Sequence, residues 1–164
     1  MFDIQLFGRV EVRTRGIRLV GTDFGGDRPR RLLALLALRG EMSTSELTGL
    51  LGITKKAMET DISVLRCRLE PGAHVRDSVV RCNWGRWSLD PDRVRVDVAR
   101  FDELIAAAAG RPADRAIKPL TAAAFLATHP LLEEESEPWA AEARAEYRAK
   151  LLMAHPDVDA TPVK

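Results

Sequence analysis

The chain has little of what disulfide scaffolds, membrane proteins and most enzymes need. Of its 164 residues two are cysteine, three are histidine, one is tyrosine, and aromatic residues make up 5%. Two cysteines do not staple a secreted domain, and Cys67, Cys82 and His74 stand at spacings that match no zinc pattern. Neither a disulfide framework nor a metal site is expected. The longest apolar run near the N-terminus, residues 32–38, is too short to cross a bilayer, and Met1 is followed by Phe2 and Asp3 rather than by a basic leader. A cytoplasmic protein without membrane contact is therefore expected. His74, His129 and His155 each have proline or a turn residue nearby, and none falls at the spacing of a catalytic triad. There is no G-x-x-x-x-G-K-[ST] loop and no G-x-G-x-x-G, and GTDFGG at 21–26 reads as a connector. The expectation is no catalysis and no cofactor.

What is present is an ordinary globular composition, 46% hydrophobic and 30% charged, with an uneven distribution of charge. The net charge is only +1, yet residues 1–96 hold 17 Lys and Arg against 12 Asp and Glu, whereas 97–164 hold 8 against 12. A basic first part and an acidic second part suggest modules with different partners. The expected division is 1–96, then a helical module at 97–155, then a flexible tail at 156–164.

The patterning supports that division. Phe2, Ile4 and Leu6 alternate, as do Val10 and Val12, and Arg15-Gly16 offers a turn before Ile17 and Leu19, which predicts a small antiparallel sheet. Asp27 is placed to cap a helix with Pro29 in its first turn, running through RRLLALLALR to Gly40. SVVRCNWGRWSLD, 78–90, predicts a hairpin with Asn83, Trp84 and Gly85 near its tip. Beyond it, 97–109, 113–128 and 136–154 read as amphipathic helices, the second interrupted by Pro119. Glu133, Glu134 and Glu135 read as an exposed loop or helix start.

Between the leucine-rich helix and the hairpin lies the most telling stretch, SELTGLLGITKKAMETDISVLRCRL. Ser43 or Thr44 caps a short helix with Leu47, Leu50 and Leu51 on one face, and Gly52 ends it. A longer helix over 55–69 then places Met58, Ile62, Leu65 and Leu69 on one side. Its opposite side carries Lys56, Thr60, Ser63 and Val64, flanked by Lys55, Glu59 and Arg66. Cations and hydrogen-bonding groups on one helical face suit the major groove of duplex DNA, although such faces are often merely solvated.

Sheet, helix, helix-turn-helix and hairpin in this order resemble the winged-helix domain of OmpR/PhoB-type response regulators. Ile62-x-x-Leu65-Arg66-x-x-Leu69-Glu70-Pro71-Gly72 follows that pattern, as do Val79-Val80-Arg81 and Trp87 ahead of Leu89. With LFGRVEV at the start and RVDVARFDELI and EPWAAEARAEYRAKL after the hairpin, the chain is more closely similar to the Streptomyces antibiotic regulatory protein family, in which a winged helix precedes a helical bacterial transcriptional activator domain. The resemblance implies an α+β fold with a truncated, tetratricopeptide-like helical module. It also implies a transcription regulator that reads duplex DNA with the helix over 55–69 and a basic wing over 78–90. Lys56 and Arg66 would contact phosphate, Glu59, Thr60 and Ser63 would face base edges, and Arg81 would lie near the minor groove, with Lys55 and Arg86 as further cations of the interface. RNA polymerase and a second protomer on repeated half-sites are the other partners implied. An adaptor that has exchanged DNA for a protein partner is the alternative, suggested by Asp61, Val64 and Cys67 at positions where that family more often carries His, Tyr or Arg.

Overall fold

The alternation of the first twenty residues folds into a sheet, and the helical periods that follow it become helices. The computed structural model describes residues 1–154; the expected tail at 156–164 lies outside the described residues. The chain divides into two units, Met1–Ile4 with Val10–Val96, and Gln5–Arg9 with the chain from Asp97 onward. Together they make a mixed α+β protein with an N-terminal sheet and six α-helices among the described residues.

The first unit runs β1 (Phe2–Gln5), β2 (Glu11–Thr14), β3 (Ile17–Val20), α1 (Asp27–Arg39), β4 (Met42–Ser43), α2 (Thr44–Leu51), α3 (Lys55–Leu69), β5 (Val80–Asn83), β6 (Arg86–Leu89) and β7 (Val94–Val96). β2 and β3 pair antiparallel around Arg15-Gly16, from Glu11↔Val20 to Thr14↔Ile17. The sheet is not wholly antiparallel as expected, because β7 pairs with β1 in parallel register, Phe2↔Val94 to Ile4↔Val96, giving the order β3-β2-β1-β7. Only three residues long, β7 carries too little alternation to announce itself in sequence. Glu11 is buried within this sheet and is neutralised by Arg13 at 3.0 Å and by Arg18.

Four leucines of α1, Leu32, Leu33, Leu35 and Leu36, are fully buried or nearly so. Gly26, not Asp27, is the N-cap of this helix; Asp27 sits inside the first turn, 3.2 Å from Arg30. Ser43 caps α2 by accepting from Glu46 N at 3.1 Å, and Thr54 caps α3 by accepting from Ala57 N at 3.1 Å. Met58, Ile62, Leu65 and Leu69 are the buried face of α3, as the period requires.

β5 and β6 close a hairpin in register Val80↔Leu89 to Asn83↔Arg86, and β4 extends it to a three-stranded sheet. The two turn residues, Trp84 and Gly85, have φ of 55° and 73°. Both positive values belong to a type I′ turn, where Asn-Gly is favoured and a bulky first residue is strained. Trp84 gains nothing in return within the unit, being fully exposed. Trp84→Asn is therefore expected to raise stability by about 0.5–1 kcal/mol in urea unfolding; an unchanged or lower midpoint would contradict the assignment of strain.

The second unit packs Gln5–Arg9 with α4 (Asp97–Ala108), α5 (Ala113–Leu126) and α6 (Pro138–Ala154). Phe7, Phe101 and Tyr147 form an aromatic cluster with ring centroids 5.4–6.0 Å apart. The Asp97 carboxylate accepts from Leu6 N at 2.9 and 3.0 Å and from Phe7 N at 3.0 Å. Tyr147 donates to Asp102 at 2.9 Å, and burial, with Asp102 alongside, pushes its phenol well above the ordinary range. Pro119 does not interrupt α5; the helix continues through it, without an amide at that position to donate to the preceding turn. Arg144 donates to Leu131 O, Leu132 O and Glu135 O at 2.8–2.9 Å and so fixes the loop ahead of α6, in which Leu132 has φ 51°. Glu133 and Glu134 are exposed, but Glu135 is buried, contrary to the reading of all three as an exposed run. No helix among the described residues is long and apolar enough to cross a membrane.

Candidate nucleic-acid interface

The N-terminus of α3 is an electropositive feature of the first unit. Thr54 satisfies one of its free amides, the first turn contains no acid, and Lys55 and Lys56 add charge to the positive end of the helix dipole. Lys55 lies 4.0 Å from Glu59 and is 73% exposed, a loose surface pair that a phosphate can displace. Lys56 is exposed, and its ammonium has no ion pair among the described residues.

Further along the helix, Glu59, Thr60 and Ser63 are all exposed, as the helical wheel requires. Thr60 donates to Lys56 O at 3.0 Å and Ser63 to Glu59 O at 3.1 Å. Each hydroxyl proton is thereby directed back along the helix, leaving oxygen lone pairs facing outward. In this state the outer face offers acceptors, with the Glu59 carboxylate among them, and its complement is a donor such as the exocyclic amine of cytosine or adenine.

Three arginines expected at the interface are engaged within the unit. Arg66 is half-buried; it donates from Nε and Nη2 to Val80 O at 3.2 and 2.9 Å, and its guanidinium lies 5.5 Å from the centre of the Trp87 ring. Burial lowers its pKa, which the neighbouring Cys82 partly opposes. Arg66 therefore ties α3 to the base of the hairpin rather than standing free on the outer face. Arg81 Nη2 is 2.6 Å from the buried Asp90 carboxylate, and Arg86 Nε is 2.7 Å from Glu41. Both arginine side chains remain about half exposed, 51% and 46%, so each reaches a phosphate only by sharing or leaving its carboxylate. The sequence spacing showed the cations and not these non-local acids.

Asp61, one of the residues that suggested an adaptor, is only 5% exposed. Arg28 Nε stands 3.1 Å from its Oδ2, an ionic contact too far off line to be a hydrogen bond. Val64 is not on the open face either. It is half-buried beneath Gly25, whose φ is 91° and where a Cβ would come within 2.3 Å of Val64 Cγ1. Cys67 is exposed. Of the three residues that suggested an adaptor, two are thus occupied inside the unit.

Thr44 fixes the hairpin tip beside the start of α2: its amide donates to Gly85 O at 3.1 Å, and its hydroxyl oxygen accepts from Trp87 Nε1 at 3.0 Å. This leaves Trp84 projecting from a well-held turn. The sequence reading placed it at the tip without assigning it a contact; a large aromatic side chain at a turn position that favours asparagine was the available signal. No group of three or more His, Cys, Asp or Glu among the described residues is arranged to hold a metal ion. Comparison with protein-family models and with curated proteins found no match.

Proposed function

We propose that the first unit is a winged helix that binds duplex DNA, with α3 as the recognition helix in the major groove and the β5–β6 hairpin as the wing. The observation that carries this reading is the start of α3: two exposed lysines on a helix N-terminus with no acid in its first turn, followed by exposed Glu59, Thr60 and Ser63 on the same side. A helix of 15 residues spans roughly 22 Å, enough to cross the groove. The resemblance to the Streptomyces antibiotic regulatory proteins makes transcription regulation in the cytoplasm the accompanying biological reading. The second unit is then a shortened, tetratricopeptide-like activator module. Two protomers on repeated half-sites would compensate for the few free cations of a single one, and RNA polymerase is the partner such a regulator addresses.

The test is fluorescence anisotropy against randomised duplex, titrated with salt and followed by sequencing of the retained duplexes. Two phosphate contacts from Lys55 and Lys56 give a slope of log K against log salt of about −2, and about −4 if Arg81 and Arg86 also exchange their carboxylates for phosphate. Enrichment of repeated half-sites is expected in the retained pool. Absence of salt-sensitive binding would overturn the proposal and favour the adaptor.

A further inference from the structure

The second unit has an open apolar groove between α4 and α5, about 540 Å³ in volume. Leu104, Ala122 and Leu126 contribute apolar lining, and Ile117 and Phe125 line it while remaining 52% and 79% exposed. Ile117, Thr121 and Phe125 recur every four residues, so they form one ridge roughly 12 Å long. Thr121 donates its hydroxyl to Ile117 O at 2.7 Å, which spends its polar proton within the helix. A groove between two packed helices, edged by an apolar ridge, has the shape that receives a third helix. An enclosed small-molecule pocket has a different form, since it must surround most of its ligand.

Charge identifies the kind of helix. Residues 97–154 carry a surplus of acids, but the groove is rimmed by Arg100 and Lys118, and Arg111 and Arg115 stand on or beside the same helix hairpin. Arg100 is 3.2 Å from Glu103, whereas the ammonium of Lys118 has no ion pair among the described residues. Among the described residues no acid lines the groove: the acids of 133–146 belong to the loop ahead of α6 and to α6 itself, Asp97 and Asp102 of α4 are hydrogen-bonded within the unit, and Glu103 and Asp114 are outside the lining. Cations on the rim of an apolar groove in an otherwise acidic unit complement a ligand that is apolar on one face and acidic at its flanks.

We propose that the α4–α5 groove docks an acidic amphipathic helix of a partner protein, with Phe125 and Ile117 packing against its apolar face and Lys118 and Arg100 meeting its carboxylates. This site is independent of the DNA-binding reading, which rests on the first unit alone. The experiment is selection of a displayed library of helix-forming peptides against the full chain, with affinities of the selected peptides then measured for the wild type, Phe125→Asp and Lys118→Glu. Both substitutions are at exposed positions, and circular dichroism checks that each variant is folded. The expected result is enrichment of acidic peptides with apolar residues at i, i+3 or i+4 and i+7, bound at least tenfold more weakly by both variants. The proposal is overturned if nothing enriches, if the selected peptides are basic or lack the helical period, or if both variants bind them as the wild type does. It is equally overturned if the chain self-associates through this face, shown by a dimer that Phe125→Asp dissociates and that excludes the peptides.

Discussion

Replacing Lys55 and Lys56 together by alanine is expected to lower duplex affinity by roughly 10- to 100-fold and to flatten the salt slope by about two, with little change in unfolding midpoint. Both side chains are exposed, and neither contributes to the buried face of α3. Loss of phosphate contacts weakens binding about uniformly across sequences, so the sequences retained from a randomised pool should stay the same while overall affinity falls. The contrasting substitution is Arg66→Ala. Because Arg66 holds Val80 O and covers Trp87, its removal acts on the join between helix and hairpin, and a lower unfolding midpoint should accompany any loss of binding. A double lysine variant that binds duplex as tightly as the wild type, with the same salt slope, would remove the start of α3 from the interface.

The second large effect concerns stability. Asp97→Ala leaves Leu6 N and Phe7 N, which belong to two buried residues, without their acceptor, at a cost of roughly 2–5 kcal/mol out of the 5–15 typical of a domain. Asp97→Asn should cost less, since one oxygen can still receive both amides, although its NH₂ group then faces a donor. The pH dependence separates charge from hydrogen bonding. Desolvation raises the pKa of Asp97 above the ordinary carboxylate value, with the backbone amides opposing the rise. The folded protein therefore holds this proton more tightly than the unfolded chain. The associated stability is fully present below the unfolded pKa and is lost as pH rises through the folded one. The penalty for Asp97→Asn should accordingly be larger near pH 3.5 than near pH 7, measured by urea unfolding at each pH. A penalty that grows toward neutral pH would show that the amides outweigh desolvation.

Most elements were legible because their signals are local. The four-residue recurrence of Trp139, Ala143, Tyr147 and Leu151 gave α6, and the leucines of α1 and the buried face of α3 were written in the helical period. The turn at Trp84-Gly85 followed from its glycine and its flanking alternation. Pairing over long sequence distance was not legible. β7 lies 92 residues from the strand it joins, and nothing in RVRV names Phe2 as the partner of Val94. The exposed residues of the candidate interface could be read from the wheel of α3, but its electrostatics could not. Spacing treats Arg81, Arg86 and Arg66 as equivalent to Lys56, whereas tertiary structure gives the first two a carboxylate each and the third a carbonyl. The surroundings of Asp61 were hidden for the same reason: Arg28, the cation beside it, belongs to a different helix.

The assignment of Gln5–Arg9 to the second unit has a consequence for synthesis. These residues are made well ahead of Asp97, which receives the amides of Leu6 and Phe7 and follows them by 91 and 90 residues. At roughly 5–20 residues per second that is an interval of about 5–20 s, during which two side chains destined for burial have no cover from their own unit. A nascent chain halted at Val96 would carry every described strand of the first unit and still lack the carboxylate that receives the amides of Leu6 and Phe7. Synthesis of the helices from Asp97 onward, rather than completion of the sheet, is what supplies the segment around Leu6 and Phe7 with its partners.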